Sequence, residues 1–324
     1  MTIVRIVKDW EYPDLMRQTP GGKGIWDGIQ FTTEAVAEVD YLIVLNRPKD
    51  NIKVKCPSGH KWILKQEPPI PYYEWHYNSY KHFDLVITPG DEKRFQGQVS
   101  SQTALPWHVN KSFDSLVKIL EPDDGQKLDQ ISWITSNASV KKGHQIRMMF
   151  KDYLEKSGFP FRLYGRGFDP IMDKFDGIFP YKYSIAIENC FCRDYWTEKL
   201  ADCFLSWTMP VYGGCTNITD YFPEKSMVRI DPENPKEALK IIETAIKENW
   251  WLKNLEYIKQ ARNLILFEYQ LFPFLANRIK IENKDNISKA KEMVFIPRNR
   301  APYESSLSAN RIVRKVGGLF KWLH

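Results

Sequence analysis

The sequence predicts an α/β protein of two domains joined by a short polar linker. The chain has 324 residues, which is long for one hydrophobic core and suits two. In both halves, short apolar runs typical of buried strands alternate with segments of helical periodicity, which is typical of open parallel sheets. Residues 121–130 are polar and contain Pro and Gly, so they are the predicted linker. The predicted domains are therefore residues 1–124 and residues 125–280, followed by a basic tail, residues 281–324.

The first domain is predicted to be a sheet of short buried strands with helices in some of the connections. The predicted strands are four apolar runs at residues 2–7, 41–45, 61–64 and 85–88. Residues 33–39 carry a helical pattern and are predicted to form one of the crossover helices.

The second domain repeats this alternation of strands and helices. Its predicted strands lie at residues 131–134, 161–163, 185–187, 211–212 and 227–230. Its predicted helices lie at residues 143–157 and 235–250, and residues 251–280 are predicted to be helical as well.

Composition and charge exclude several classes of protein. Apolar residues make up 43% of the chain and charged residues 27%, as in an ordinary soluble protein. No run of about 18 apolar residues predicts a membrane-spanning helix, and residues 1–10 lack the apolar core of a signal peptide. Of the six net positive charges, five lie in residues 297–324. The rest of the chain is close to neutral, which argues against a nucleic-acid groove. We therefore expect a cytoplasmic protein.

The most informative segment is the one that follows the predicted strand 185–187. That strand ends in Glu188 and Asn189, and after a polar loop Thr197, Glu198 and Lys199 open a helical pattern. A strand, a polar loop and a helix N-terminus can hold a phosphate, because the first-turn N–H groups are unpaired and the helix dipole favours an anion. A lysine in that first turn opposes the dipole preference, so Lys199 is predicted to meet a diphosphate.

This segment resembles the donor-site signature of the family 10 glycosyltransferases, the α1,3/4-fucosyltransferases. The resemblance is carried by Glu-Asn at residues 188–189 and by Tyr-x-Thr-Glu-Lys at residues 195–199. Further matching segments fall in the family's order at residues 136–137, 147–154, 164–165, 210–214 and 221–223. Together they cover roughly residues 130–235. Animal Golgi members of the family begin with a membrane anchor, which residues 1–10 do not resemble, so we expect the bacterial type.

The resemblance implies the GT-B architecture, in which two Rossmann-like domains face a cleft, here with C-terminal helices and a basic amphipathic tail. It also implies an inverting transfer of L-fucose from GDP-fucose to a saccharide hydroxyl, of α1,3 type on a glycan that contains N-acetylglucosamine, with no cofactor besides the nucleotide sugar. Residues 213–217 depart from the family's usual loop. A different nucleotide-sugar donor therefore stays open, as does a non-catalytic module that binds a glycan or a nucleotide.

Several residues of the second domain are candidates for binding the donor. Arg147 and Lys199 match family positions assigned to the diphosphate, which suits a reaction that builds negative charge on the leaving phosphate. Glu198 matches the acid that holds the ribose, whose two hydroxyls suit a bidentate acceptor. Asn189 and Tyr195 match polar donor-site positions.

Three further polar residues lie at the ends of the predicted strands. Ser136 and Asn137 follow an apolar strand and could supply loop contacts to a phosphate, or form an ordinary polar turn. Glu188 either contacts the donor or orients the loop that follows it.

The general base is expected from the other domain. The candidate is Glu67, which resembles the family's glutamate before a Ser-Pro-type turn and here precedes Pro68 and Pro69. Two consecutive prolines fix the direction of the chain after it. The next choice is Glu74.

Residues 71–83 are rich in aromatic side chains with polar tips. Such rings can stack on the apolar face of a sugar while their polar tips bind its hydroxyls. Tyr73, Trp75 and Tyr77 are therefore candidates for binding the acceptor, and an aromatic edge of the core is the alternative.

A catalytic metal is not expected. The acids nearest the predicted diphosphate site, Asp169, Asp173 and Asp176, form no Asp-x-Asp pair, so a solvated acidic loop is the better interpretation. The five cysteines are an odd number, and we expect free thiols.

The tail carries a basic amphipathic helical pattern at residues 309–324. On a helical wheel, six apolar side chains share one arc: Ile312, Val313, Val316, Leu319, Phe320 and Leu323. The opposite side carries four cations: Arg311, Arg314, Lys315 and Lys321. This pattern favours peripheral attachment to an anionic membrane surface on the cytoplasmic face, with docking onto the protein as the alternative.

Overall fold

Two large β-sheets and a two-stranded one organise the part of the chain that the computed structural model describes, residues 1–104, 106–282, 290–300 and 302. The strands are β1 Thr2–Val7, β2 Ile25–Trp26, β3 Ile29–Thr32, β4 Tyr41–Leu45, β5 Ile52–Pro57, β6 Lys61–Leu64, β7 Leu85–Thr88, β8 Gln98–Ser100, β9 Leu128–Ile134, β10 Arg162–Tyr164, β11 Tyr181–Ile187, β12 Met209–Gly213, β13 Val228–Arg229 and β14 Lys291–Ile296. The α-helices are α1 Phe113–Lys118, α2 Lys142–Lys156, α3 Lys174–Ile178, α4 Glu198–Leu205, α5 Pro235–Lys247, α6 Trp250–Lys253, α7 Leu255–Leu264 and α8 Leu271–Glu282.

The first sheet has seven strands in the order β2-β3-β1-β4-β6-β7-β8. All neighbours pair in parallel except β2 and β3, which form an antiparallel edge. The four strands predicted in this half, β1, β4, β6 and β7, are confirmed with the predicted bounds. Continuous burial on both faces of β4 and β7 explains why their sequences are apolar throughout.

The helix predicted at residues 33–39 is wrong. This segment is irregular, and its backbone bonds to β5 instead: Val39 N–H donates to Lys55 O, and Lys55 N–H donates to Ala37 O. Val39 is fully buried there. Contacts distant in sequence therefore override a weak local helical preference.

The connection from β6 to β7 is a 3₁₀ helix, Pro71–His82, which contains the aromatic segment.

The second sheet has five parallel strands in the order β10-β9-β11-β12-β13. The predicted strands and helices of this half are present, with bounds shifted by a few residues. β9 begins at Leu128 and not at residue 131, because Leu128 N–H donates to Pro180 O and Leu128 pairs with Tyr181. The helix predicted over 235–250 ends at Lys247, since Asn249 takes a left-handed conformation and caps α6.

Residues 251–280 are largely helical, as predicted: they include most of α6, all of α7, a π-helical turn at Ile265–Tyr269, and most of α8. Helix α8 returns to the first sheet, where Leu271, Phe272 and Leu275 lie in its core. The domain boundaries stay predictions. Helix α8 bears most on the boundary placed at residue 280, because it falls in the predicted second domain but packs in the core of the first sheet.

The predicted tail contains a strand that the sequence did not suggest. β14 pairs antiparallel with β5, from Lys291 opposite Pro57 to Ile296 opposite Ile52. The amphipathic pattern at residues 309–324 lies outside the described residues.

The order of the second sheet creates a crevice at its carboxyl edge. β10 lies on one side of β9 and β11 on the other, so the connections after β9 and β11 leave in opposite directions. Ligands of open α/β sheets bind at such a point. Thr135 follows β9 and Glu188 follows β11, and their surroundings form the candidate site.

Candidate active site

A cavity of about 280 Å³ lies between the two sheets. It is lined by Trp10, Tyr12, Pro13, Asn46, Gln66, Glu67, Pro106, His108, Asn189, Tyr195, Thr197, Glu198 and Lys199. Five of these residues were predicted site residues. The fold thus brings Glu67 of the first domain into one space with Asn189, Tyr195, Glu198 and Lys199 of the second.

Lys199 is held in a fixed position at the start of α4. Its Nζ lies 3.0 Å from Thr197 Oγ1, 3.2 Å from Glu198 Oε1 and 3.4 Å from Glu188 Oε2. Burial alone would lower the pKa of this ammonium, but the two carboxylates outweigh burial and raise it. Lys199 therefore presents a permanent positive charge to the cavity.

Glu188 is fully buried and orients the loop. Its carboxylate accepts hydrogen bonds from Thr197 N–H at 2.8 Å and from the Thr197 hydroxyl. Burial raises its pKa above the ordinary value. Of the two roles that the sequence left open, these contacts favour the orienting one, because Glu188 does not line the cavity and instead supports Thr197 and Lys199.

Glu198 is flanked by two lysines and a histidine. Its Oε1 lies 3.2 Å from Lys199 Nζ, 3.8 Å from Lys174 Nζ and 3.9 Å from His108 Nδ1. Burial would raise the pKa of Glu198, but these neighbours outweigh it and hold the pKa well below its usual range. An ionised carboxylate is thus available to accept hydrogen bonds from a ligand's hydroxyl groups.

Four buried polar atoms beside the crevice have no hydrogen-bond partner among the described residues: Thr135 Oγ1, His144 Nδ1, Arg147 Nε and Asn189 Oδ1. Buried polar groups are nearly always paired, so a cluster of unpaired ones indicates a ligand site. The pKa of His144 is lowered to about 4 by burial and by the nearby cations Arg147, Lys141 and Lys199. The site is therefore rich in positive charge and fits an anion.

Helix α2 points its N-terminus at this cluster. No side chain caps it, and its first turn holds no acid. A Cβ on Gly143 would lie 2.1 Å from Asn189 O, so only glycine lets this turn approach the loop after β11. The sequence predicted the phosphate at α4, but Thr197 caps that helix. The open helix N-terminus is that of α2, and it suits a phosphate.

Glu67 follows β6 at the opposite side of the cavity. Asn46 Oδ1 accepts hydrogen bonds from Gln66 N–H at 2.8 Å and from Glu67 N–H at 3.0 Å, which fixes the backbone there. Burial raises the pKa of Glu67. The alternative base, Glu74, is exposed and pairs with Arg94 at 3.4 Å. Glu67 is thus the better-placed of the two.

None of the three predicted acceptor residues lines the cavity. Tyr73 hydrogen-bonds to Glu67, which does line it. Trp75 packs under the Arg47 guanidinium, 5.0 Å from the ring centre, and Tyr77 accepts a hydrogen bond from Lys65 and packs on Tyr80. The alternative of an aromatic edge of the core therefore fits these two better.

Ser136 and Asn137 follow β9 as predicted but do not line the cavity either. Asn137 N–H donates to Arg166 O at 3.1 Å, and its side chain fills the space beside Gly167. The contacts of Asn137 are those of a turn between two strand ends.

Several cavity residues were missed by sequence reasoning. Trp10, Tyr12 and Pro13 directly follow β1, so the rule that ligands bind at strand ends could have found them. Asn46 follows β4 in a left-handed conformation. His108 lies in a segment without periodicity, and no sequence signal pointed to it.

The described residues contain no group of three or more His, Cys, Asp or Glu side chains that could hold a metal ion. Asp173 caps α3 and pairs with Lys111 at 3.2 Å, and Asp169 lies 3.6 Å from Arg162. All five cysteines are free thiols.

Two parallel-sheet domains around a cavity give the chain a fold that resembles that of the GT-B glycosyltransferases. Solved structures of this fold include an "alpha1,3-Fucosyltransferase" (TM-score 0.50, 17% identity, 84% of this chain and 91% of that one). A second is an "alpha-glucosyltransferase in complex with UDP and a 13-mer DNA" (TM-score 0.55, 9% identity, 88% and 100%).

The particular family is indicated by the second domain. Residues 125–257 match the model of glycosyltransferase family 10 (fucosyltransferase), C-terminal part. GDP-fucose protein O-fucosyltransferase 3 of Danio rerio is 38% identical over 80 residues, which are 24% of this chain and 18% of that protein. The 4-galactosyl-N-acetylglucosaminide 3-alpha-L-fucosyltransferase 9 of Bos taurus is 29% identical over 137 residues, 40% and 36% of the two chains. The chain thus spans well under half the length of either relative.

Proposed function

We propose that this protein is an inverting fucosyltransferase that moves L-fucose from GDP-fucose to a saccharide hydroxyl. The observation that carries the proposal is the cavity, in which Glu67 faces Lys199, Glu198 and Asn189 across the two domains. The match of residues 125–257 to the family 10 model supports fucose as the sugar and GDP as the nucleotide.

In the proposed reaction, the acceptor hydroxyl attacks the anomeric carbon of fucose as the bond from that carbon to the β-phosphate oxygen breaks. GDP leaves, and Glu67 takes the proton of the hydroxyl. A single displacement inverts the configuration. Lys199 and Arg147 stabilise the charge that grows on the diphosphate, and α2 directs its first-turn N–H groups at it.

Four further residues are proposed to contact the donor or to shape its site: Glu198, Asn189, Tyr195 and Ser136. Glu198 stays ionised and is proposed to accept hydrogen bonds from the two ribose hydroxyls. The unpaired Asn189 Oδ1 is proposed to meet the donor as well. Tyr195 is buried beside Glu188 and is proposed to shape the floor of the site. Ser136 is proposed to reach a phosphate when the loop after β9 closes on the donor.

For the acceptor we propose a glycan that contains N-acetylglucosamine, with an α1,3 linkage. The name of the Bos taurus relative describes such a substrate, whereas that of the Danio rerio relative describes a protein. Residues of the cavity support a sugar: Trp10 and Tyr12 offer aromatic faces beside Glu67. The ring of Tyr73 is proposed to complete this surface.

The donor is tested by thermal shift. We expect GDP and GDP-fucose to raise the melting temperature more than UDP, CMP or dTDP at equal concentration, because a ligand that binds only the folded state stabilises it by RT ln(1 + [L]/Kd). Arg147→Ala should remove most of the shift, because it deletes the buried guanidinium whose Nε is unpaired, whereas the exposed Arg166→Ala should keep it. A larger shift with UDP would indicate that the donor is a UDP-sugar and not GDP-fucose. No shift with any nucleotide would contradict the proposal.

The proposed location of the protein in the cell depends on its basic tail. No helix among the described residues is long and apolar enough to cross a membrane. We propose that residues 309–324 attach the protein to an anionic surface on the cytoplasmic face, with each of the four cations contributing about 1 kcal/mol.

Liposome flotation tests this attachment. The full chain should float with vesicles that contain anionic lipid, less so at high salt, because salt screens the cations. Deletion of residues 309–324, or glutamine at the four cations, should abolish flotation. Equal flotation of all three proteins would contradict the proposal, and a lower melting temperature after deletion would favour docking on the protein.

A further inference from the structure

A hydrogen-bonded path crosses the cleft from helix α2 to Glu67. Lys141, the N-cap residue that precedes α2, donates from its ammonium to the hydroxyl of Tyr73 in the 3₁₀ helix of the first domain. The side chain of Tyr73 is in turn hydrogen-bonded to the carboxylate of Glu67. Three side chains from two domains thus form a continuous chain.

The chemistry of the groups fixes the direction of each bond. An ammonium can only donate, so the Tyr73 oxygen accepts from Lys141 and its one proton is left for Glu67. The Lys141 ammonium also lies 4.5 Å and 4.2 Å from the ring centres of Tyr72 and Tyr73, within cation–π range. Lys141 is therefore held to the first domain by two kinds of contact, and both point it toward Tyr73.

We propose that Tyr73 and Lys141 are positioning residues, which aim Glu67 at the acceptor hydroxyl. The proposal rests on the proposed function, since it assigns Glu67 the role of base.

The charges around Glu67 predict the direction in which its pKa changes when Tyr73 or Lys141 is removed. The titratable groups that act on it or sense its charge are Tyr73, Lys141, Asp9, Lys199, Lys65, Tyr195 and Tyr80. Burial raises the pKa of Glu67, and Asp9 raises it further, whereas Tyr73, Lys141 and Lys199 lower it. Removing Tyr73 or Lys141 should therefore raise the pKa of Glu67 further.

The experiment compares two variants with two matched controls. Tyr73→Phe and Lys141→Met break the path. Tyr72→Phe and Lys142→Met make the same changes one residue away, at exposed positions outside it. In the first pair, kcat should fall by about tenfold or more, as for a lost hydrogen bond to a charged group, and the acid limb of kcat/KM should move to higher pH. The controls should match the wild type.

The effects of the two changes should not add. Lys141 also acts on Glu67 through its charge, so the comparison is made at high pH, where Glu67 is ionised in every variant. There, if Lys141 positions Glu67 through Tyr73, the double variant should lose no more kcat than Tyr73→Phe alone, because the path is already broken. Additive losses would mean that the two residues act separately and would overturn the proposal.

A titration without substrate separates this proposal from the proposed function. The carboxyl carbon of Glu67 can be followed by NMR in protein labelled with ¹³C-glutamate, with Glu67→Gln identifying its signal. A rise in the pKa of Glu67 in Tyr73→Phe and Lys141→Met but not in the controls supports the path, even if the wild type transfers no fucose. If the wild type transfers fucose but these variants leave both kcat and the Glu67 titration unchanged, the path has no positioning role.

Discussion

Lys199→Ala is expected to lose turnover by on the order of 10²-fold or more. Lys199 is the cavity-lining cation of α4, and its Nζ is held at 3.0–3.4 Å by three partners. A preorganised cation stabilises the charge that develops on the leaving diphosphate without any rearrangement during the reaction. Affinity for GDP should fall as well, because the same charge faces the bound product.

Stability must be separated from catalysis in this variant. Lys199→Ala removes the ammonium 3.4 Å from the fully buried carboxylate of Glu188, so the melting temperature should also fall. Adding Glu188→Gln removes the uncompensated charge and should recover part of the melting temperature without recovering turnover. Steady-state kinetics and thermal denaturation of the single and double variants measure both. Normal kinetics in folded Lys199→Ala would mean that Lys199 takes no part in donor binding or turnover.

Glu67→Gln is expected to lose transfer by about 10²- to 10⁴-fold, the usual contribution of a general base. Glutamine keeps the shape of the side chain but cannot take a proton from the acceptor. Binding of GDP-fucose should be nearly unchanged, since the proposed role of Glu67 places it against the acceptor and not against the nucleotide. Isothermal titration and single-turnover kinetics separate the two effects. Glu74→Gln is the matched control and should behave as the wild type.

The pH dependence of kcat/KM in the wild type also tests whether Glu67 is the base. Burial raises the pKa of Glu67 above its ordinary value, and a base must be deprotonated. The acid limb of kcat/KM should therefore lie at higher pH than for an exposed glutamate, with the rate lost as pH falls through that pKa. A rate in Glu67→Gln equal to that of the wild type at every pH would place the base elsewhere.

Much of the fold was predictable because local and tertiary preferences agree. Strands such as β4 and β7 are apolar along their whole length, and their bounds follow directly from the sequence. The helix predicted at residues 33–39 fails because that segment bonds to Lys55, a contact that no local pattern encodes. The strand Lys291–Ile296 was missed for the same reason, since its partner β5 is more than 200 residues away.

The donor side of the site was more predictable than the acceptor side. Residues 181–199 form one continuous strand, loop and helix start, so their spacing in sequence fixes their spacing in the fold. The acceptor side is assembled from separate strand ends, which bring Trp10, Asn46 and Glu67 together across the first sheet. His108 reaches Glu198 only because Asp202 accepts hydrogen bonds from the backbone N–H groups of His108 and Val109.

Fucosyl transfer itself can be measured by incubating the purified protein with GDP-fucose and a 4-galactosyl-N-acetylglucosaminide in excess EDTA, and by analysing the product by NMR. We expect an α-linked fucosyl product on the N-acetylglucosamine residue, with one GDP released per transfer, and little product from Glu67→Gln. Release of GDP with free fucose alone, a β-linked product, or the same product yield from Glu67→Gln would overturn the proposed function.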